Sequence, residues 1–296
     1  MATKAIVVGT RGSRLARLQT EGIVALLRER HPAQRFDLET IRTTGDRRTD
    51  VPLTEIGGEG VFTKEIEAAL LDRRIDFAVH SLKDLPTIIP DGLTLAAIGR
   101  REDPRDALVS RDNVLLARLP VGARIGTDSL RRRCQLRLLR PDVEPVSIRG
   151  NVDTRIRKVE AGEIDGIIVA AAALTRLGRL DAAAAVFDTD AMLPAPGQGA
   201  LVIEARADDA TLLALLATVD DADSRSATTA ERAFLRRLGG GCRLPIAALG
   251  VVEGGQLWLR GLVADESGER VRRAELRGPV DEAESLGVRL AEDLLT

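Results

Sequence analysis

The amino-acid sequence predicts an α/β protein built from two α/β domains and a smaller α+β domain at its C-terminal end. Three observations carry this reading. A chain of 296 residues corresponds to about two domains of the usual ~150 residues, and leaves room for three small ones. Short apolar runs alternate with amphipathic stretches through the first two thirds, the order expected when helices cover parallel strands. From about Asp221 that order gives way to one helix, three strands and a closing helix, the texture of an α+β unit.

Ile6 to Gly9 reads as a strand, and Ser13 precedes a helical period through Leu15, Leu18, Ile23, Leu26 and Leu27 that stops near His31-Pro32. A second strand covers Phe36 to Thr43. Gly57-Gly58-Glu59-Gly60 makes Thr54 to Gly60 a loop, ahead of a helix from Phe62 to Leu71. Strands at Ile75 to Ser81 and Leu93 to Ile98 follow, and after Arg100-Arg101-Glu102-Asp103-Pro104 the pattern restarts. The second round predicts strands at Ala107 to Val109, Ala123 to Gly126, Val146 to Ile148 and Gly166 to Ala170. Its helices are Asp128 to Arg140, Asp153 to Ala161 and a stretch reaching about Val186. Leu193-Pro194-Ala195-Pro196-Gly197 marks the exit, and Leu201 to Glu204 is a strand returning to the first domain, so that two chain crossings imply a hinge. The last part holds a helix at Ser226 to Leu238, strands at Ile246 to Val252, Leu257 to Val263 and Arg270 to Leu276, and a final helix. The domains are therefore 1–99 with 200–219, 100–199, and 220–296.

Hydrophobic residues at 44% and charged residues at 30% exclude disorder as the main state. With 43 basic and 45 acidic residues the net charge is -2, so no global field draws the chain to nucleic acid or to an anionic membrane. Aromatic residues make up 2% with no tyrosine, which removes the stacking platforms of a single-strand binder. The two cysteines, Cys134 and Cys242, are too few for a disulfide framework, and the two histidines, His31 and His80, sit near neither, so no metal site is expected. The short apolar stretch after Met1-Ala2-Thr3-Lys4 is shorter than a signal segment, and no apolar run approaches ~20 residues. A cytoplasmic protein is expected.

Charge is concentrated locally. Arg124 to Lys158 holds ten basic residues against four acidic ones. Arg131 and Arg132 fall in the first turn of a helix that follows Ile125-Gly126-Thr127-Asp128-Ser129, where the helix dipole disfavours cations unless an anion is bound. Arginine forks match carboxylates, so the region reads as a carboxylate or phosphate site. The same device recurs at Gly9-Thr10-Arg11-Gly12-Ser13 and at Ile148-Arg149-Gly150-Asn151 with Arg155 beyond. Strand ends line the ligand crevice of open α/β sheets, so these arginines are expected to converge on one cleft and a polyanionic ligand. No phosphate-loop or dinucleotide fingerprint is present. Asp84, beside Lys83 at a strand end, is a single carboxylate suited to stabilising a cation or moving a proton. Cys242, after three glycines and before Arg243, is expected to be an accessible, nucleophilic thiol, whereas Cys134 falls within a helix and reads as buried.

Eight segments, in order, resemble the porphobilinogen deaminase (hydroxymethylbilane synthase) family over essentially the whole chain. They are Gly9-Thr10-Arg11-Gly12-Ser13, Phe62-Thr63-Lys64-Glu65, Ala78-Val79-His80-Ser81-Leu82-Lys83-Asp84, Arg101-Glu102-Asp103-Pro104-Arg105-Asp106, Gly126-Thr127-Asp128-Ser129-Leu130-Arg131-Arg132, Ile148-Arg149-Gly150-Asn151, Leu193-Pro194-Ala195-Pro196-Gly197-Gln198-Gly199 and Gly240-Gly241-Cys242. The resemblance implies a three-domain transferase that condenses four porphobilinogen molecules head to tail, with loss of ammonia, into the linear tetrapyrrole hydroxymethylbilane for haem biosynthesis. It implies a dipyrromethane cofactor joined to Cys242 by a thioether, and Asp84 as the catalytic carboxylate. By matching position, Lys83, Thr127, Ser129, Arg131, Arg132 and Arg155 hold the cofactor. Arg11, Ser13, Arg149, Arg155 and Arg176 hold substrate or guide elongation, with Gln19 and Phe62 as lesser candidates whose roles could equally lie in the core or on a helix surface. Each pyrrole carries an acetate and a propionate, which accounts for the arginines. One departure is Glu55 and Glu59, where many bacterial members carry lysines, so this loop is expected to act as a mobile lid rather than to bind carboxylates. The expected partner is the small-molecule substrate, with no nucleic acid and no membrane, and the protein is expected to be a monomer. The rival reading is a two-lobed module of the periplasmic-binding-protein-like type that binds a small polyanion without catalysis. A nucleic-acid binder is the weakest third.

Overall fold

The computed structural model describes residues 5–47, 60–240, 244–265 and 270–295. The loop residues Glu55 and Glu59, and Cys242, lie outside the described residues. Two compact units emerge, 1–101 with 200–225, and 102–199 with 226–296.

The first unit contains β1 (Ile6–Arg11), α1 (Arg14–Arg30), β2 (Phe36–Ile41), α2 (Thr44–Arg47), α3 (Lys64–Leu71), β3 (Phe77–Ser81) and β4 (Leu93–Ile98), completed by β10 (Leu201–Arg206) and α7 (Ala210–Leu216). Its sheet runs β2-β1-β3-β10-β4. β1 pairs in parallel with β2 and β3, while β10 runs antiparallel between β3 and β4. The expected return of Leu201 to Glu204 thus makes a mixed sheet instead of a parallel one, because the strand that re-enters runs against its neighbours. Strand alternation sends Val8, Phe77, Val79 and Ile203 to the face covered by Ile23, Val24 and Leu27 of α1. These three share one stripe of the helix, and burial of each such side chain stabilises by about 1.5–3 kcal/mol. The other face packs Ala78 and Leu93 against Ile66, Ala69 and Leu70 of α3.

The second unit repeats the plan with β5 (Asp106–Ser110), β6 (Arg124–Gly126), α4 (Leu130–Leu139), β7 (Glu144–Val146), α5 (Val152–Glu160), β8 (Gly166–Ala170), α6 (Ala171–Leu177) and β9 (Ala185–Val186) in the sheet order β7-β6-β8-β5-β9. It also holds β11 (Ile246–Glu253), β12 (Gln256–Ala264) and β13 (Val271–Pro279), an antiparallel meander covered by α9 (Ala283–Leu295). α8 (Ala222–Arg237) places Ala230 and Phe234 in the same core as Leu257, Leu259, Leu286 and Leu290.

Besides the short α2, which the sequence did not predict, three elements depart most from the sequence expectation. The helix expected to reach Val186 stops at Leu177, because Gly178 adopts φ 67° and closes it, and Ala185–Val186 pairs with β5 instead. β7 ends at Val146 because Ser147 and Ile148 donate to the Asp128 carboxylate (2.5 and 3.3 Å). α7, unmarked in the sequence reading, starts where Asp209 accepts from Leu212 N at 3.0 Å. Among the described residues no helix is long and apolar enough to cross a membrane.

Candidate active site

In the first unit β1 ends on Arg11, and Ser13 is the N-cap of α1, accepting from Ala16 N at 3.2 Å. The Arg11 guanidinium lies over the Phe62 ring, 4.0 Å from its centroid, so Phe62 orients a cation through its π face. Phe62 in turn fills the space beside Gly45, where any Cβ would meet the ring at 2.1 Å. Gln19 is buried and donates from Nε2 to Ser81 Oγ at 3.0 Å, tying α1 to the end of β3. The chain then turns through a single 3-10 turn, Leu82–Asp84. Leu82 and Leu85 are buried while Lys83 and Asp84 are exposed, so the apolar pair anchors the turn and presents the carboxylate.

In the second unit two strand-to-helix turns carry arginines. Ser129 caps α4 by accepting from Arg132 N (3.4 Å), and Thr127, itself buried, accepts from Ser129 N at 3.2 Å. Asn151 caps α5 by accepting from Thr154 N at 2.9 Å. Gly150 makes that turn possible: its φ is 109°, and a Cβ there would sit 2.8 Å from Thr154. Arg155 Nε donates back to Gly150 O at 2.8 Å.

The first-turn arginines of α4 find an anion inside the protein. Arg131 is 4% exposed and Arg132 8%. Asp106, wholly buried at the start of β5, accepts from Arg131 Nη1 (2.6 Å), from Arg132 Nε and Nη2 (3.0 and 2.7 Å) and from Gln198 Nε2 (3.0 Å). Burial pushes the Asp106 pKa up, but the charges of Arg131 and Arg132 outweigh it and hold it well below the usual carboxylate range. Arg131 and Gln135 also donate to Leu193 O (2.6 and 3.0 Å), and Arg132 to Ile168 O (3.0 Å). Buried Glu231 accepts from Gly197 N (2.6 Å) and Gly250 N (2.7 Å). The segment from Leu193 to Gly199 is thus fixed from several sides.

Asp106, Gln198 and Glu231 were not assigned a role from the sequence, although the first two stand inside the segments quoted above. The signal was present only as a carboxylate two residues after Pro104. Nothing in the spacing says that it meets arginines 25 and 26 positions later.

Arg155 has a different balance. Burial lowers its pKa, Asp128 opposes that, and the neighbouring charges of Arg132 and Arg149 lower it further. A guanidinium still keeps its proton at neutral pH, so this corner gathers three cations. Arg176 is likewise lowered by burial against the opposing pull of Glu102, and its Nη2 donates to Gly199 O at 2.7 Å. Cys134 is buried, and burial raises its thiol pKa, which leaves it unreactive.

A doubled mixed sheet with arginines at capped helix starts and an exposed aspartate at a strand end defines an α/β protein that handles a multiply charged organic anion. The comparisons with known proteins give the family. The family model described as "Porphobilinogen deaminase, dipyromethane cofactor binding domain" matches residues 6–214, and the model for the C-terminal domain of the same enzyme matches 225–296. A relative named porphobilinogen deaminase from Roseiflexus sp. (strain RS-1) is 50% identical over 98% of this chain and 95% of its own. One of the same name from Syntrophus aciditrophicus (strain SB) is 51% identical over 97% and 94%. Among solved structures, the BenM effector binding domain with benzoate gives a TM-score of 0.43 at 16% identity, covering 73% of this chain and 90% of that one, a likeness too distant to bear on the assignment. The chain belongs to the porphobilinogen deaminase family and is an enzyme of that type.

The dipyrromethane cofactor of that family is a pair of pyrroles bearing acetate and propionate groups. The donors present fit it: Arg149 and Arg155 stand close to one another and to Arg132, with Asp128 pulling on Arg155, and guanidinium forks donate to carboxylates bidentately.

Proposed function

We propose that this protein condenses four porphobilinogen molecules head to tail, releasing ammonia at each addition, to form the linear tetrapyrrole hydroxymethylbilane. The observation that carries the geometric side of this reading is the placement of Arg149 and Arg155 close to Arg132, whose own fork Asp106 holds. A growing chain whose every ring adds two carboxylates is the ligand that neighbouring guanidinium groups suit.

Each residue has a task that its chemistry supports. Asp84, exposed on its 3-10 turn, accepts from pyrrole N–H groups and stabilises the positive charge that develops as ammonia leaves. Lys83, Thr127, Ser129, Arg131, Arg132 and Arg155 hold the dipyrromethane group, which Cys242 binds as a thioether. When bound, that group supplies the pyrrole α-carbon from which the chain is extended. Arg11, Ser13, Gln19, Phe62, Arg149, Arg155 and Arg176 bind the carboxylates of incoming or growing substrate, with the Phe62 ring keeping Arg11 oriented. Asp106, itself held by Gln198, fixes the forks of Arg131 and Arg132, so that the start of α4 is preorganised before any ligand arrives. In this reading the enzyme is a cytoplasmic monomer of three domains, 1–99 with 200–219, 100–199 and 220–296, acting on a small molecule without nucleic acid or membrane.

The test is the intact mass of the purified protein beside Cys242→Ala, before and after porphobilinogen. A covalent increment of two linked pyrroles in the wild type, absent from the variant, is expected. An unmodified wild type that stays unmodified with porphobilinogen, and consumes none, sinks the proposal.

A further inference from the structure

The face of the first sheet that lies under α3 holds, beside Arg206 of β10, which donates to Leu70 O, Ile75 O and the Asp76 carboxylate, a second buried polar cluster. Strand register sets Val202 opposite His80 and Glu204 opposite Ala78, so alternation puts all four on the same face. Ala78 joins Ile66 and Leu70 in one apolar cluster, and Val202 joins Leu82, Leu85 and Ile98 in another. The same face holds Glu204 at 0% exposure, His80 at 6% and, from α3, Glu67 at 8%. His80 Nε2 lies 3.1 Å from Glu204 Oε2. Among the described residues His80 Nε2, both Glu204 carboxylate oxygens and Glu67 Oε1 are buried without a hydrogen bond of good geometry, so His80 and Glu204 meet at ion-pair distance only.

Stability alone does not explain these side chains. Buried ion pairs gain little over well-packed apolar residues, and each orphaned carboxylate oxygen costs desolvation energy. Burial also pushes the Glu67 pKa up, with Glu204 adding to that, against the opposing pull of Thr63, His80 and Lys64.

The position of the pair is informative. His80 is the penultimate residue of β3, and Asp84 follows four positions on. Between them Leu82 N donates to Ala200 O at 3.0 Å and Leu85 N to Leu82 O at 3.2 Å, which closes the turn. Gln19 holds Ser81 from the opposite face of the strand. The end of β3 is clamped by polar contacts on both faces, immediately before the residue it presents.

We infer that His80, paired with Glu204, is a positioning residue that fixes the end of β3 and thereby the placement of Asp84. This rests on the reading of Asp84 as the carboxylate of the reaction. A displacement of about 1 Å in a reacting group costs on the order of 100-fold in rate, so a buried side-chain contact that holds a strand end acts on catalysis from beneath the site.

The test uses the cofactor-bearing full-length enzyme and the variants His80→Gln and His80→Gln with Glu204→Gln, the second making both side chains neutral amides so that no carboxylate is left buried opposite a changed partner. Folding is followed by thermal melting, cofactor content by intact mass, and kcat and KM by porphobilinogen consumption. Retained cofactor, kcat lowered about 10-fold or more and KM changed less than about 3-fold is the expected result in whichever variant folds. A folded variant with wild-type kcat overturns the assignment, and so does failure of both variants to fold, which makes the pair part of the scaffold only. Asp84→Ala, run in parallel, separates the two claims: if it keeps its turnover, the reading of Asp84 fails; if it is inactive while the His80 variants are normal, only the positioning role fails.

Discussion

The two five-stranded sheets share one plan and use it for opposite ends. Each places three parallel strands beside an antiparallel fourth, in the orders β2-β1-β3-β10-β4 and β7-β6-β8-β5-β9. Each follows a strand with a helix whose N-cap, Ser13 or Ser129, accepts from the residue three positions on. Yet the first unit exposes its aspartate, Asp84, on a turn anchored by Leu82 and Leu85. The second buries its aspartate, Asp106, under two arginines and a glutamine. Topology therefore sets where strand ends lie, and burial decides whether a carboxylate is presented to solvent or holds arginines within the protein.

Four variants break or sharpen that contrast, in decreasing order of expected effect. Asp84→Ala is expected to lower turnover by about 100-fold or more, measured as porphobilinogen consumption. It should leave stability within about 0.5 kcal/mol because the side chain is exposed. Asp106→Asn acts on stability first. Breaking a buried pair costs about 3–5 kcal/mol, read from denaturant unfolding at pH 7. The folded pKa of Asp106 lies below its unfolded value near 3.9. Its contribution is therefore complete at neutral pH and is lost as pH falls below about 4 towards the folded pKa. The variant should be less stable at pH 7 and show a flatter decline between pH 4 and pH 2.

Arg155→Ala removes one of the gathered cations without touching the Asp106 pair. A charged hydrogen bond contributes about 1.5–3 kcal/mol, so growth should stall at fewer than four pyrroles, visible as enzyme-bound intermediates by mass spectrometry. A uniform slowing with no stalled species counts against its role. Ser13→Ala has the smallest effect, a loss of about 1 kcal/mol from the uncapped α1, measurable as a fall in the melting temperature. If it lowers affinity for porphobilinogen beyond what that loss explains, Ser13 binds substrate as well as capping the helix.

The helices capped by Ser13 and Ser129, the return of Leu201 and the three-stranded C-terminal sheet were legible in the sequence, because caps and periodicity are local signals. The end of α6 was not, since an alanine run has no apolar stripe and Gly178 marks a stop only once its φ of 67° is seen. The arginines of α4 were legible as cations in need of an anion. That the anion beside Arg131 and Arg132 is Asp106 was not, because the partners stand 25 and 26 residues apart.

By itself the sequence determined the residue types, their order and the family, since eight motifs in register are a property of the chain alone. Only the tertiary structure decided which charges meet. It put Asp106 under Arg131 and Arg132, left Arg155 among other cations, and set His80 against Glu204 beneath the turn that presents Asp84. The physical reason is that caps and periods arise from neighbours in the chain, whereas burial and pairing of charge arise from elements that only the sheet order brings side by side.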